Sequence, residues 1–335
     1  MSGAQPTLDD VAREASVSRS TASRAINGGE RVSPEAQAAV DDAVARLGYS
    51  PNRAARSLVT RRTDSIALVV PEPDTLVLTD PFLTGVIRGV SDGLVGADLQ
   101  LVLLLNRVDE GPGRLARYLA SGHVDGAIVA SHHRRDQLES ALARAQLPAV
   151  FVGRPFGDAT HHYVDVDNVA GARLATQRLI DSGRRRIGTI TGPLDMPAGI
   201  DRLQGWRDTL REHGLRDDAV VECDFTASGG AAAASRLLDA HPDLDGIFAA
   251  SDLMAEGVLR TLHSRGARVP DDVALVGFDD LGIAQHTSPR LTTVHNPVIR
   301  TTMAATAALL ALLAGAPVPT TPQIFTPTLI EGESA

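Results

Sequence analysis

Two sets of side chains in this 335-residue chain have types and spacings that could do chemistry. The first lies in SRSTASRAIN, residues 18–27, where Arg19, Ser20 and Arg24 follow a serine able to cap a helix. A guanidinium fork can bridge O6 and N7 of guanine, and short hydroxyl side chains suit phosphate oxygens. The second set is polar groups placed just after apolar runs: His132 after 124–129, Arg154 after 148–152, Asp252 after 246–250 and Asp279 after 272–276. Carboxylates and guanidinium groups bond hydroxyls in pairs, so this set suits a ligand rich in hydroxyls, such as a sugar. The pairs His132-His133 and His161-His162, the latter with Asp165, raise the question of a metal. Adjacent residues on a strand end point in opposite directions, and no cysteine or paired acids complete a zinc set. No metal and no cofactor are expected.

The elements that must position the first set read as three short helices over residues 7–47. Thr7 and Asp10 form a capping-box pattern, with Leu8, Val11, Ala12 and Ala15 on one helical face. Ser18 starts a second helix that ends at Asn27-Gly28-Gly29. The third has Ser33 as N-cap, Pro34 at its first position and Gly48 just past its end, with Ala36, Val40, Val44 and Leu47 as its apolar face. Two helices on a tight turn, braced by a third, make a helix-turn-helix. Ser50-Pro51 breaks the chain, and residues 51–59 have the pattern of one further short helix, marginal alone in water.

From residue 65 the grammar changes. Apolar β-rich runs at 65–70, 100–105, 124–129, 148–152, 163–166, 186–190, 246–250 and 272–276 alternate with amphipathic stretches at 83–95, 112–121, 134–145, 168–182, 201–213, 229–239 and 252–265. Alternation of this kind means right-handed βαβ units and parallel sheets, here in two doubly wound subdomains. Ligands bind beyond the carboxyl ends of such strands, where the second set falls.

The net charge of −9 hides an asymmetry. Residues 1–63 hold nine arginines against seven acids, and the remainder holds 23 against 34, so +2 is joined to −11. All 32 basic residues are arginine. A single cysteine, Cys223, excludes an internal disulfide and fits a reducing cytosol. The amino terminus has no signal-peptide pattern and no apolar run reaches the ~18 residues of a membrane span, so a cytoplasmic location is expected, on the nucleoid when bound to DNA. The first strand is followed by PEPDT rather than a Gly-rich phosphate loop, and neither a P-loop nor a G-x-S-x-G elbow occurs, so no enzyme is read here.

The stretch TLDDVAREASVSRSTASRAINGGERVSPEAQAAVDDAVARLGYSPNRAARSL resembles the amino-terminal signature of the LacI/GalR transcriptional regulators nearly throughout. LVVP at 68–71, VGRP at 152–155, GPLDMPAGIDRLQGW at 192–206, SDLMAEG at 251–257, VGFDD at 276–280 and LTTVHNP at 291–297 are similar to the family's effector-binding body. The resemblance implies a small all-α helix-turn-helix headpiece at 1–49 and a hinge helix at 50–63. After them it implies an α/β body at 64–335, of the periplasmic-binding-protein type I, in two doubly wound parallel-sheet subdomains. The expected subdomain boundaries are 64–162 plus 294–322, and 163–293 plus 323–335.

By the same resemblance, Arg19 and Ser20 stand where operator choice varies, and Thr7, Ser18, Thr21, Ser23, Arg24 and Asn27 complete the headpiece contacts. Leu58 stands where the family's hinge helix wedges a leucine into the minor groove, beside Asn52, Arg53 and Ala55. In the body it ranks Arg202 and Asp279 first as effector contacts, with Asp252 next. It matches Phe225 to a stacking aromatic, and places Asp80 and Phe82 in a loop facing the pocket. Trp206 reads as core. The family's tetramerising heptad tail is missing, so a homodimer on a pseudo-palindromic operator is expected. The run DMPAGIDRLQGW resembles regulators that respond to cellobiose-like disaccharides. The expected function is a repressor of carbohydrate-utilisation genes released by a sugar. The alternatives are a corepressor-dependent regulator answering a non-sugar small molecule and a sugar-binding protein with no regulatory role.

Overall fold

The computed structural model describes residues 6–27, 32–50, 62–105, 113–157 and 161–335. The chain divides into two compact units, Met1–Thr63 and Asp64–Ala335. In the first, α1 (Leu8–Glu14), α2 (Arg19–Ile26) and α3 (Pro34–Leu47) follow the capping residues read from the sequence. Thr7 and Asp10 close a reciprocal capping box, Ser18 accepts from Thr21 N–H, and Ser33 accepts from Ala36 N–H. Gly48 ends α3 in the left-handed region at φ 62°. Val11, Ala12, Ala15, Ala22, Ala25, Val40 and Ala43 form the small core between the three helices. Asn52, Arg53, Ala55 and Leu58 lie outside the described residues.

The second unit runs β1 (Ser65–Val70), α4 (Asp74–Val77), α5 (Pro81–Gly93), β2 (Gln100–Leu105), α6 (Gly113–Ala120), β3 (Gly126–Ala130), α7 (Leu138–Ala145), β4 (Ala149–Val152) and β5 (His162–Val166). It continues with α8 (Asn168–Asp181), β6 (Ile187–Thr191), α9 (Pro197–Glu212), β7 (Val220–Glu222), α10 (Ala227–Ala240), β8 (Gly246–Ala249), α11 (Asp252–Ser264) and β9 (Ala274–Val276). It closes with β10 (Thr293–His295), α12 (Val298–Leu313), β11 (Gln323–Phe325) and β12 (Thr328–Ile330). A six-stranded sheet, ordered β11-β5-β4-β3-β1-β2, and a four-stranded sheet, ordered β7-β6-β8-β9, are both parallel throughout. β10 and β12 pair antiparallel.

Each sheet defines a lobe, and strand alternation explains the layers. Ile66, Leu68 and Val70 of β1 face α5 and α12, while Ala67 and Val69 face α6 and α7. Trp206, on α9, is fully buried in the second lobe's core. The chain crosses between the lobes at 166–168, 295–298 and 325–328. The first and last crossings shift the expected boundaries, because β5 and β11 are hydrogen-bonded to each other in the first sheet rather than the second.

Four described strands and two helices escape the sequence reading: β7, β10, β11 and β12 are only three residues long, and α4 is a single turn. α12 escapes for the opposite reason. VIRTTMAATAALLALL is apolar or small almost all round, so it shows no amphipathic period, and it packs in the first lobe's core.

Candidate functional site

The strand ends of the two lobes face each other across a cleft of about 950 Å³. From the first lobe it is lined by Glu72, Asp80, Phe82, His132, His133 and Asp165. From the second lobe and the crossings come Asn168, Asp195, Arg202, Phe225, Asp252, Asp279 and Asn296. Seven of the expected effector residues therefore line one cleft: Asp80, Phe82, His132, Arg202, Phe225, Asp252 and Asp279. Arg154 does not. Its guanidinium turns to Asp201 at 2.7 Å, and its backbone N–H donates to Asp165.

Arg202 is a buried cation in the wall of this cleft. It projects from α9 and donates Nε–H to Asn168 Oδ1 at 2.9 Å, one guanidinium nitrogen to Ala250 O and the other to Asp279 Oδ1 at 3.3 Å. Its Cζ lies 3.6 Å from the Phe278 ring centroid. Burial pulls its pKa below the ordinary arginine value, against the attraction of Asp279 and Asp165. Arginine nonetheless keeps its charge. Asp279 is raised by its own burial, against Arg202 and the Asn296 amide. It sits at φ 108°, a strained backbone for an aspartate, and Phe225 sits at φ 62°. The Phe225 ring occupies the space above Gly192, where an added Cβ would lie 1.9 Å from the ring.

Asp252 is not the cap of α11, a role that falls to Ser251. Its carboxylate accepts from Thr293 O–H at 2.6 Å and from Asp280 N–H at 2.8 Å, and burial pushes its pKa to about 8. Gly277 makes room for it, since a Cβ there would meet Asp252 Oδ1 at 2.2 Å. Asp80 caps α5 through Phe82 N–H at 2.8 Å. Burial, with Asp279 and Glu72 adding repulsion, raises it to about 7. His132 is lowered to about 4 by burial, and its Nε2 has no hydrogen-bond partner among the described residues. At neutral pH it is an uncharged imidazole, edge-on to Phe151 and Phe156.

Sequence reasoning missed Glu72, Asn168, Asp195 and Asn296, and weighed His133 only as a metal ligand. Glu72 and Asp195 follow β1 and β6, so the strand-end rule that picked Asp252 would have found them. Among the described residues no group of three His, Cys, Asp or Glu side chains is arranged to hold a metal ion.

The first unit offers a different surface. At 100° per residue, Arg19, Ser23, Asn27, Ser20 and Arg24 fall within an arc of about 140° on α2, opposite the buried Ala22 and Ala25. Ser18, Arg19, Ser20, Arg24 and Asn27 are exposed. Arg24 Nε donates to Ser20 O at 3.1 Å, and Arg19 pairs with Asp9 at 3.2 Å. Thr7 O–H is engaged with Asp10, and Ser18 and Thr21 share a hydroxyl contact at 2.8 Å.

Residues 7–52 match the family of bacterial regulatory proteins, lacI family, and residues 176–335 match the periplasmic binding protein-like domain. The HTH-type transcriptional regulator CelR of Thermobifida fusca is 49% identical over 297 residues, 88% of this chain and 87% of that protein. The chain belongs to the LacI family. The ribose operon repressor of Escherichia coli K12 is 34% identical over 295 residues, 87% of this chain and 88% of that one. Among solved structures, a transcriptional regulator CelR–cellobiose complex is 43% identical, with a TM-score of 0.79 over 98% of this chain and 100% of that one. The lac repressor dimer bound to operator and the anti-inducer ONPF is 25% identical, with a TM-score of 0.86 over 99% of each chain. Like these relatives, the chain is a transcriptional regulator and not an enzyme. No helix among the described residues is long and apolar enough to cross a membrane.

Proposed function

We propose that this regulator represses carbohydrate-utilisation genes and leaves its operator when a β-glucoside disaccharide of the cellobiose type enters the cleft. The observation that carries the reading is the cleft itself. Arg202, Asp279, Asp252, Asn168 and Asn296 supply paired donors and acceptors, Phe82 and Phe225 supply ring faces, and the volume exceeds what one sugar ring fills. The solved CelR–cellobiose complex, 43% identical to this chain, supports the sugar class. Operator reading falls to the first unit: Arg19, Ser20 and Arg24 on the exposed arc of α2 to base edges, and Thr7, Ser18, Thr21, Ser23 and Asn27 to phosphates. Leu58 is the proposed minor-groove wedge, flanked by Asn52, Arg53 and Ala55. A cytoplasmic homodimer on a pseudo-palindromic site completes the proposal.

The test is a thermal-shift screen of mono- and disaccharides on the full chain, followed by binding to the duplex this chain selects from a random library. Cellobiose is expected to raise the melting temperature more than glucose does. No response to any disaccharide would overturn the sugar reading.

A further inference from the structure

One side chain in the cleft belongs to both lobes at once. His133 follows β3 in the first lobe, and its Nε2 lies 3.0 Å from Glu72 Oε1 of the same lobe. Its Nδ1 lies 2.7 Å from Oδ1 of Asp195, which follows β6 in the second lobe. The backbone repeats the tie: Arg134 N–H donates to Asp195 O at 2.8 Å. Burial alone would lower the His133 pKa, but the bonds to Glu72 and Asp195 outweigh it and raise the group to about 9, so the ring carries its charge at neutral pH. A second bridge, Arg154 to Asp201 at 2.7 Å, spans the lobes in a more solvated setting, with the arginine side chain 41% exposed. The two bridges differ at their cationic ends: His133 is 6% exposed and Arg154 41%, so water screens the His133 bridge less even though Asp195 is 36% exposed.

We propose that Glu72, His133 and Asp195 form a latch that holds the two lobes closed over the effector. His133 and Asp195 are positioning residues: they set the lobe arrangement that the sugar-binding side chains need. The inference rests on the sugar reading above for its ligand, and on the lobe-spanning bonds for its mechanism. Glu72 fixes the His133 ring from behind, and Asp195 is the strike that leaves when the lobes part. A bond made only in the closed arrangement biases that arrangement by its differential energy.

The test uses the full chain, with cellobiose as probe, measured by calorimetry and stopped-flow. Asp195→Asn is the first variant, because it removes the charge of a side chain that is 36% exposed while keeping its size. It is expected to weaken cellobiose about tenfold, through faster dissociation with little change in association. His133→Gln is expected to do the same, and the double variant to be no weaker than either single one. Arg154→Ala is expected to cost no more than about threefold. Wild-type affinity in Asp195→Asn, or additive losses in the double variant, would overturn the latch; additivity would make each side chain a separate sugar contact. A sugar-independent readout separates the two claims. Amide exchange in segments 131–137 and 193–201 is expected to quicken in Asp195→Asn, and unchanged exchange would overturn the latch. If wild type ignores cellobiose, the sugar reading fails, while the exchange result still decides the latch.

Discussion

Arg202 and Asp279 are a buried ion pair, and the charge of one compensates the charge of the other. Replacing Arg202 by alanine should therefore destabilise the body by roughly 3–5 kcal/mol, since Asp279 is left buried with no cation, and should abolish sugar binding. Chemical denaturation and sugar titration check the two halves separately. Asp252 gives a pH prediction. Its folded pKa of about 8 lies above the ordinary 3.8, so the folded chain holds its proton longer than the unfolded chain does. The stability it contributes is full below about pH 4 and is lost as pH rises through 8. Between pH 5.5 and 8.5 the gap between Asp252→Asn and wild type should move in the variant's favour by up to about 3 kcal/mol, on top of a pH-independent offset from the lost Asp280 bond. Paired denaturation curves at the two pH values measure it, and a constant gap would mean Asp252 does not titrate in that range.

At the scale of elements, the caps and strand ends carry most of what can be predicted. Ser18 fixes the start of α2, so Ser18→Ala should cost about 1 kcal/mol of headpiece stability and weaken operator binding in proportion. Gly192→Ala should push the Phe225 ring out of place and weaken cellobiose at least tenfold while operator affinity without sugar stays put. The helix starts at Thr7, Ser18 and Ser33 were legible in the sequence because capping is a local bond between neighbours. So were the long strands, and with them the strand-end places of Asp252 and Asp279, whereas Arg202, on a helix, was singled out only by the family resemblance. What was not legible depends on partners far along the chain. Arg154 follows its strand as an effector contact should, yet Asp201, 47 residues on, takes its guanidinium. The membership of β5 and β11 in the first sheet is set by pairing across more than 150 residues, and nothing local announces it. His133 was visible beside His132 but read as a metal question, because Glu72 and Asp195 come within reach only in the fold.

At the scale of the molecule, the charge division and the two compact units agree on a separation of labour. Residues 64–335 alone should keep sugar binding and lose operator binding, and Arg24→Ala in the full chain should likewise leave sugar binding intact while costing about 1–3 kcal/mol on DNA. Because the chain has no lysine, every cationic contact to phosphate or base comes from arginine, which suits forked recognition of guanine and phosphate. Release from the operator by sugar requires coupling between the cleft and the DNA-reading face. A ligand can move that balance only through different affinities for the two states. The most direct measurement is the affinity of the full chain for its selected duplex, at fixed salt, with and without saturating cellobiose. A fall of tenfold or more is predicted, and an unchanged DNA affinity in the presence of bound cellobiose would contradict the account.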